Sequence, residues 1–517
     1  MGENLPERIE SKGKVYLIGA GPGDPKLITV RGLEAIRKAD VVVYDRLASP
    51  RLLQHMKPGA ERVYVGKRPD RHTLRQEVIN RLLVDLALEG KTVARLKGGD
   101  PSVFGRVGEE AELLADHGIE FDLIPGVTSA IGVPAYAGIP VTHRDFTSSL
   151  AIVTGHECTK KNDSNIDWSK LATATGTLVF LMGVGNLNTI CEVLLREGRS
   201  PDTPIALIRW GTTPEQETLV GTLETIDQQV QAAGFKSPAV IIVGEVVKLR
   251  EKLAWKEKKP LFGRRVLVTR SRAQASELAE RIDELGGEPI EFPVIQIRSP
   301  QDPKTLSQLN EALERLPEYD WVMFTSVNGV EYFFRHLRER RIDVRTLHRT
   351  RIAAVGPKTA AALEERGFYA DVLPEQFQAE GLLDRMRDLL FPGQRVLLPR
   401  ANIAREILPV ELRKLGMDVS EAHVYETVIA DEDGEDVLEL LRQKEIHLIT
   451  FTSSSTVTNL IERLRMLGVA DPISLLSGVE TLCIGPVTAQ TAHDVGLTVH
   501  RTAESATIRS LIEAMIP

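Results

Sequence analysis

The second half of the chain is written twice. RVLVTR (265–270) returns as RVLLPR (395–400), MFTSVNGV (323–330) as TFTSSSTV (450–457), and AVGPKTAAAL (354–363) as CIGPVTAQTA (483–492). All three pairs keep a spacing of about 130 residues, which a slipped low-complexity match would not preserve. Each piece is a short apolar run, a small-residue turn and then a helical pattern such as ASELAERIDELGG. Strands alternating with helices demand parallel sheets covered by helices on both faces, so this half predicts two similar α/β lobes with a cleft between them. The FTS turns fall at strand ends, where open α/β sheets bind ligands. Helix N-capping by the same Ser and Thr hydroxyls is the alternative.

A chain of 517 residues is too long for one core. The charged stretch KLREKLAWKEKKPLFGRR (248–265) closes one apolar pattern, and its Pro260 and Gly263 precede the fresh strand RVLVTR. Two modules follow: 13–255, with lobes of about 13–135 and 136–255, then a linker at 256–262, then 263–517. A net charge of -8 argues against a general grip on nucleic acid, so an anionic ligand needs local Arg and Lys. The three cysteines, Cys158, Cys191 and Cys483, form no CxxC, which fits a reducing compartment without disulfides. His156 and Cys158 stand close together but lack further ligands nearby, and no metal site is expected. The first residues, MGENLPERIESKGK, lack an apolar signal core, and no apolar run reaches membrane-spanning length. The expectation is a cytoplasmic protein with neither membrane nor nucleic-acid partners.

The first half opens on a strand, VYLI (15–18), followed by GAGPGD (19–24), an amphipathic pattern and a second strand, VVVYD (41–45). That order imitates a dinucleotide-binding fingerprint. It fails in detail. Asp24 stands where the last glycine belongs, and Pro22 removes an N–H that a phosphate would use. An acid at the head of a helix also has the wrong sign for a pyrophosphate. The loop suits a neutral or cationic ligand.

Downstream come VGKRPDRHT (65–73), RLKGGDPSVFGR (95–106), IPGVTSA (124–130), AGIPVTHRD (137–145), VTGHE, LVFLMGVGNL and ALIRWGTT. In this order they resemble the tetrapyrrole methylases, and within them the uroporphyrinogen-III C-methyltransferases, from residue 13 to about 255. The resemblance implies a bilobal α/β enzyme, a homodimer, with S-adenosylmethionine between its lobes. Carried over, cofactor contacts fall on Pro22, Gly98, Gly99, Asp100, Val103, Thr128, Ser129, Met182 and Gly211. Glycines let backbone approach a ligand closely, and Asp100 offsets the positive charge of a sulfonium. The resemblance also implies proton handling at Asp45 and Lys67, as acceptor and donor. Capping of a strand end by Asp45, and carboxylate binding by Lys67, are the bland alternatives. Arg46, Arg68, Arg106 and Arg144 lie beside the motifs as candidate partners for substrate carboxylates.

In the second half, RVLVTR, FTSVNGV, AVGPKTA, LPRA, VYET, FTSSSTV and IGPVTA together resemble uroporphyrinogen-III synthase, from residue 263 onward. That family implies two similar α/β lobes with parallel sheets, joined by a two-strand connection, assigned here to FPVIQI (292–297) and HVYETV (423–428). One lobe would hold 263–298 with 424–517, and the other 299–423. Tyr425 is the candidate acid for loss of water, against a packing role in the connecting strand. Ser326, Thr452 and Ser453 are candidates for holding substrate carboxylates.

The combined expectation is an α/β fusion enzyme acting on small-molecule tetrapyrroles with S-adenosylmethionine as its cofactor. It would cyclise hydroxymethylbilane to uroporphyrinogen III, then methylate that twice. The rivals are a dinucleotide-dependent oxidoreductase in the first half, and a non-catalytic tetrapyrrole sensor in the second.

Overall fold

A computed structural model of the chain describes residues 12–66, 75–156, 166–270, 272–375, 378–403, 406–430 and 434–516. It divides into two compact units, one mostly up to residue 265 and the other mostly beyond it. The described strands form four five-stranded sheets, two in each unit.

In the first unit, β1 (Lys14–Gly19), β2 (Val41–Tyr44), β3 (Glu61–Tyr64), β4 (Val93–Lys97) and β5 (Glu120–Ile124) lie in the order β3-β2-β4-β1-β5. Every neighbouring pair is parallel. Both faces of such a sheet are buried, which explains the near-continuous apolar runs. Val15 and Leu17 pack with Leu83 and Val107 on one face, while Ile18 meets Ile36 and Leu52 on the other. The second sheet contains β6 (Leu150–Thr154), β7 (Thr177–Leu181), β8 (Pro204–Arg209), β9 (Glu217–Thr222) and β10 (Ala239–Val243), ordered β6-β7-β10-β8-β9. It is mixed: β10 runs antiparallel to both neighbours, and β9 antiparallel to β8.

The second unit holds β11 (Arg265–Val268), β12 (Glu288–Glu291), β13 (Ile295–Arg298), β14 (Trp321–Phe324), β15 (Arg351–Ala354), β16 (Arg395–Ala401), β17 (Asp418–Ile429), β18 (Leu448–Phe451), β19 (Glu480–Cys483) and β20 (Arg501–Thr502). Its sheets are ordered β12-β11-β18-β19-β20 and β13-β17-β16-β14-β15. The duplication is visible here as crossed copies. RVLV, TF and CI strands form the run β11-β18-β19, and RVLL, MF and AA strands form β16-β14-β15, so each sheet draws from both repeats. The pairs within these runs are parallel.

One detail differs from the expected lobes. β17 runs unbroken through residue 424 for 12 residues, pairing with β16 through its first part and antiparallel with β13 through its last. Residues 295–298 and 424–429 therefore extend the second sheet by hydrogen bonding, rather than belonging to the first. The segment at 256–262 also differs from a plain tether, because the Glu257 carboxylate accepts hydrogen bonds from Gln216, Thr218 and Arg250 of the first unit.

Candidate active sites

In the first unit, loops leaving the C-terminal ends of parallel strands gather along one edge of the sheet, the usual ligand edge of open α/β sheets. Pro22 follows β1, Asp45 and Arg46 follow β2, Gly98 to Asp100 follow β4, and Thr128 and Ser129 follow β5. β1 and β4 are neighbours, so their loops close a bridge: Gly21 N–H donates to Gly99 O at 3.2 Å, and Gly99 N–H to Gly21 O at 2.7 Å. Close backbone approach requires glycine here. A Cβ on Gly126 would lie 2.4 Å from Gly99 O, and one on Gly98 would lie 2.4 Å from Leu47 Cβ. Asp100 fastens the turn, accepting from Ser102 N–H at 2.7 Å and from Gly126 N–H at 3.0 Å. Thr128 caps the helix Ser129–Tyr136 through Ala130 N–H.

The second sheet of this unit contributes Met182 after β7 and Gly211 after β8. A Cβ on Gly211 would lie 2.3 Å from Val133, so this loop packs directly on the helix Ser129–Tyr136. Asp24 N–H donates to Thr212 Oγ1 at 2.9 Å, and Tyr136 OH donates to Asp24 Oδ2 at 2.9 Å. Burial, then the charge of Asp24, hold the Tyr136 phenol protonated far above its usual range. Asp24 thus ties the glycine loop to the opposite lobe. Val103 packs on that lobe's core, and the Arg46 guanidinium lies 5.0 Å from the Trp210 ring centroid. Phe104, Arg106, Met182, Trp210 and Thr212 all adopt left-handed backbone, with φ between 45° and 72°. Such residues cost roughly 1–2 kcal/mol each, and strain of this kind collects at functional sites.

In the second unit, Tyr425 lies on β17 and is 8% exposed. Its hydroxyl stands 3.2 Å from Ser326 Oγ, which also accepts from Gly329 N–H at 3.0 Å and so caps the helix Val327–Glu339. That helix grips both connecting strands. Tyr332 OH donates to Ile297 O of β13 at 2.7 Å, and His336 Nε2 donates to Val424 O of β17 at 2.8 Å. Ser453 caps the helix Ser454–Met466 in a reciprocal box with Thr456, next to half-buried Thr452. The capping alternative for the FTS serines is therefore realised at both copies, while each hydroxyl stays at a strand end.

Two family models match this chain: tetrapyrrole (corrin/porphyrin) methylases over residues 14–227, and uroporphyrinogen-III synthase HemD over residues 276–513. A protein of Ruminiclostridium josui described as porphyrin biosynthesis protein HemD is 41% identical over 505 residues, covering 98% of either chain. This chain belongs to that family. It is a bifunctional enzyme of tetrapyrrole biosynthesis, with a methyltransferase module and a synthase module. A uroporphyrinogen-III C-methyltransferase of Bacillus subtilis (strain 168) is 46% identical over 360 residues, covering 70% of this chain and 73% of its own. Another, from Priestia megaterium, is 55% identical over 235 residues, which is 46% of this chain and 98% of its own.

Six of the cofactor candidates, Pro22, Gly98, Gly99, Asp100, Thr128 and Ser129, follow strands at one edge of the first sheet, while Met182 and Gly211 follow strands of the second; the substrate candidates are more scattered. Arg106 is committed to Glu109, with Nε and Nη2 each 2.7 Å from a carboxylate oxygen. Arg144 is exposed, and Lys67 and Arg68 lie outside the described residues, as does Cys158. Asp45 is held from two sides: Oδ1 accepts from Leu47 N–H at 3.0 Å and Oδ2 from Arg95 Nη2 at 3.1 Å. Sequence reasoning missed Arg95, with its neighbours Lys97 and Glu110. A signal was present, because RLK places two cations two residues apart on a strand that otherwise reads as apolar. Alternation puts both on one buried face.

Proposed function

We propose that the chain converts hydroxymethylbilane to uroporphyrinogen III, with loss of water and inversion of ring D, and then transfers two methyl groups to give precorrin-2. What supports this reading is the presence of both complete motif sets in one chain, each assembled around strand ends. S-adenosylmethionine, when bound, supplies an activated methyl group. The site around Gly98–Asp100 fits it, because the Gly21 and Gly99 backbones interlock without side chains and the Asp100 carboxylate stands beside them.

In this reading Pro22, Gly98, Gly99, Asp100, Val103, Thr128, Ser129, Met182 and Gly211 contact the donor. The chain's work is to place a nucleophilic pyrrole carbon in line with the methyl group, which supplies most of the rate. Each transfer leaves the product one proton to lose, and Asp45 is its acceptor; where Lys67, as donor, protonates one position of the macrocycle, a second proton leaves from another, so the net loss stays at one. Arg46, Arg68, Arg106 and Arg144 pair with substrate carboxylates, Arg106 by exchanging Glu109 for substrate. In the synthase module Tyr425, next to Ser326, donates to the departing hydroxyl, while Ser326, Thr452 and Ser453 hold acetate and propionate groups. Pairing of two copies through the methyltransferase module belongs to the same reading, and light scattering tests it.

The deciding experiment supplies hydroxymethylbilane to the purified chain with and without S-adenosylmethionine. Type III uroporphyrinogen without the donor, and dimethylated product with it, is the expected result. Type I product alone would remove the synthase reading.

A further inference from the structure

Behind the Asp45 turn, the methyltransferase module buries three charges that its proposed chemistry leaves unused. Val93 packs with Leu83 and Val107, while Ala94 and Leu96 face the other way, so Arg95 and Lys97 emerge on the side covered by the helices Gln76–Leu88 and Val107–Asp116. Arg95 is 3% exposed, Lys97 5%, and Glu110 of the second helix 0%. Buried charges are tolerated only when paired and hydrogen-bonded. Glu110 Oε1 accepts from Lys97 Nζ at 2.6 Å and from Gln76 Nε2 at 3.0 Å, and lies 3.5 Å from Arg95 Nε. Arg95 Nη1 donates to Leu96 O at 2.7 Å, and its Nη2 reaches Asp45.

Two cations against one buried carboxylate leave a positive surplus, and Asp45 supplies the missing negative charge. Asp45 is also the member that meets solvent, its side chain being 25% exposed. Glu110 Oε2 and Arg95 Nε have no hydrogen-bond partner among the described residues. Burial pushes the Lys97 ammonium down from its usual value, against the pull of Glu110.

We infer that Arg95 is a positioning residue for methyl transfer: anchored by Glu110 and by Leu96 O, it aims the Asp45 carboxylate and sets the charge which that carboxylate faces. Asp45 pairs with Arg95, and Lys97 and Glu110 stand behind that pair. Arg46, next in the chain, lies over Trp210, and the helix Gln76–Leu88 faces Glu110 with uncharged Gln76 and, through it, Asn80. The inference rests on the reading of Asp45 as proton acceptor.

The test follows kcat and KM for methylation of supplied uroporphyrinogen III by the full chain, with folding checked by circular dichroism. Arg95→Gln should lower kcat about tenfold with KM unchanged, because the hydrogen bond that aims the Asp45 carboxylate loses its charge assistance. Donor affinity by calorimetry should not change. Arg95→Lys keeps the charge but loses the planar fork, so only part of kcat should return. Glu110→Gln loosens the anchor yet leaves Arg95 in place, so kcat should fall by less than in Arg95→Gln. A wild-type kcat in folded Arg95→Gln, or a loss that falls on KM rather than on kcat, overturns the inference. So does a wild-type rate in folded Glu110→Gln, which reads the anchor even if Arg95→Gln does not fold. A wild-type rate in Asp45→Asn would instead remove the reading of Asp45 as proton acceptor.

Discussion

Gly98 and Gly99 are adjacent, yet different physics requires each of them. Gly98 has ordinary backbone but no room, since a Cβ would lie 2.4 Å from Leu47 Cβ. Gly99 has room, with its nearest neighbour at 3.4 Å, but a φ of +70°. Gly99→Ala should therefore cost about 1–2 kcal/mol of backbone strain, whereas Gly98→Ala should displace the turn carrying Asp45 to Leu47. The expected outcome is weaker donor binding by calorimetry in Gly99→Ala, and a larger loss of methyl transfer in Gly98→Ala, with cyclisation unchanged in both. Equal donor affinity in Gly99→Ala and wild type would move the donor site elsewhere. Sequence could show that GGD matters but not which constraint acts on which glycine, because Leu47 is distant in the chain. Tyr425 poses a similar question. Its hydroxyl lies 3.2 Å from Ser326 Oγ, and its ring packs on Tyr332. Tyr425→Phe keeps the packing and removes only the donor, so the type III to type I ratio should fall while the melting temperature barely moves. An unchanged ratio and turnover would reduce Tyr425 to packing.

At the scale of elements, the helix Val327–Glu339 shows what the sequence could and could not reveal. Its existence was legible in FTSVNGV followed by an amphipathic pattern, because a capping serine and helical periodicity are local signals. Its hold on β13 and β17 was not, since Tyr332 and His336 find carbonyl partners in strands far along the chain. The same reason displaced the expected lobe edge: β17 is one strand by hydrogen bonding, but its sequence gives no sign of where it changes partner. His336 makes this clamp titratable. Burial lowers its pKa below the ordinary 6.5, and Arg340, whose Nη1 lies 3.1 Å from Nδ1, opposes protonation further, while Glu339 favours it. A folded-state pKa below the unfolded value means that the unfolded chain takes up the proton first. The stability contributed by neutral His336 is thus complete above pH 6.5 and is lost as pH falls below it. In His336→Gln the calorimetric transition of the synthase module should start lower but lose less on going from pH 7 to pH 5 than the wild type does. An identical loss in both would show that His336 is not the group responsible.

For the whole molecule, the duplication carries more weight than any single motif. Two copies of the same three strands cannot each close a separate lobe here, because β11 pairs with β18 while β14 pairs with β16. Each lobe of the synthase module needs strands from both copies, so that module must be kept whole from 263 onward. Its internal duplication offers no place to cut. The methyltransferase module presents the opposite case, since both of its sheets are built from strands contiguous in sequence up to Val243. The segment after it stays attached: Trp255 Nε1 donates to Ala135 O at 3.1 Å, and Glu257 is held by three partners, whose hydrogen bonds keep its carboxyl below the usual range despite burial. A cut between Trp255 and Glu257 would strip those partners of their acceptor and leave Arg250 without its carboxylate. Separately expressed residues 1–258 and 259–517 avoid this. The first piece should methylate supplied uroporphyrinogen III, and the second should cyclise hydroxymethylbilane to the type III isomer, each near the rate of the intact chain. A third piece, 1–255, should methylate more slowly and melt lower than 1–258, because only it lacks Glu257. Equal melting of the two would show that Glu257 is dispensable, and loss of both activities in the 258/259 pair would show that the modules depend on one another to fold. Mixing the two active pieces with hydroxymethylbilane and donor then asks whether fusion adds anything beyond supply. If the mixture makes dimethylated product as fast as the intact chain at equal concentration, the intermediate passes through free solution, and covalent linkage serves only to keep the two activities in equal number.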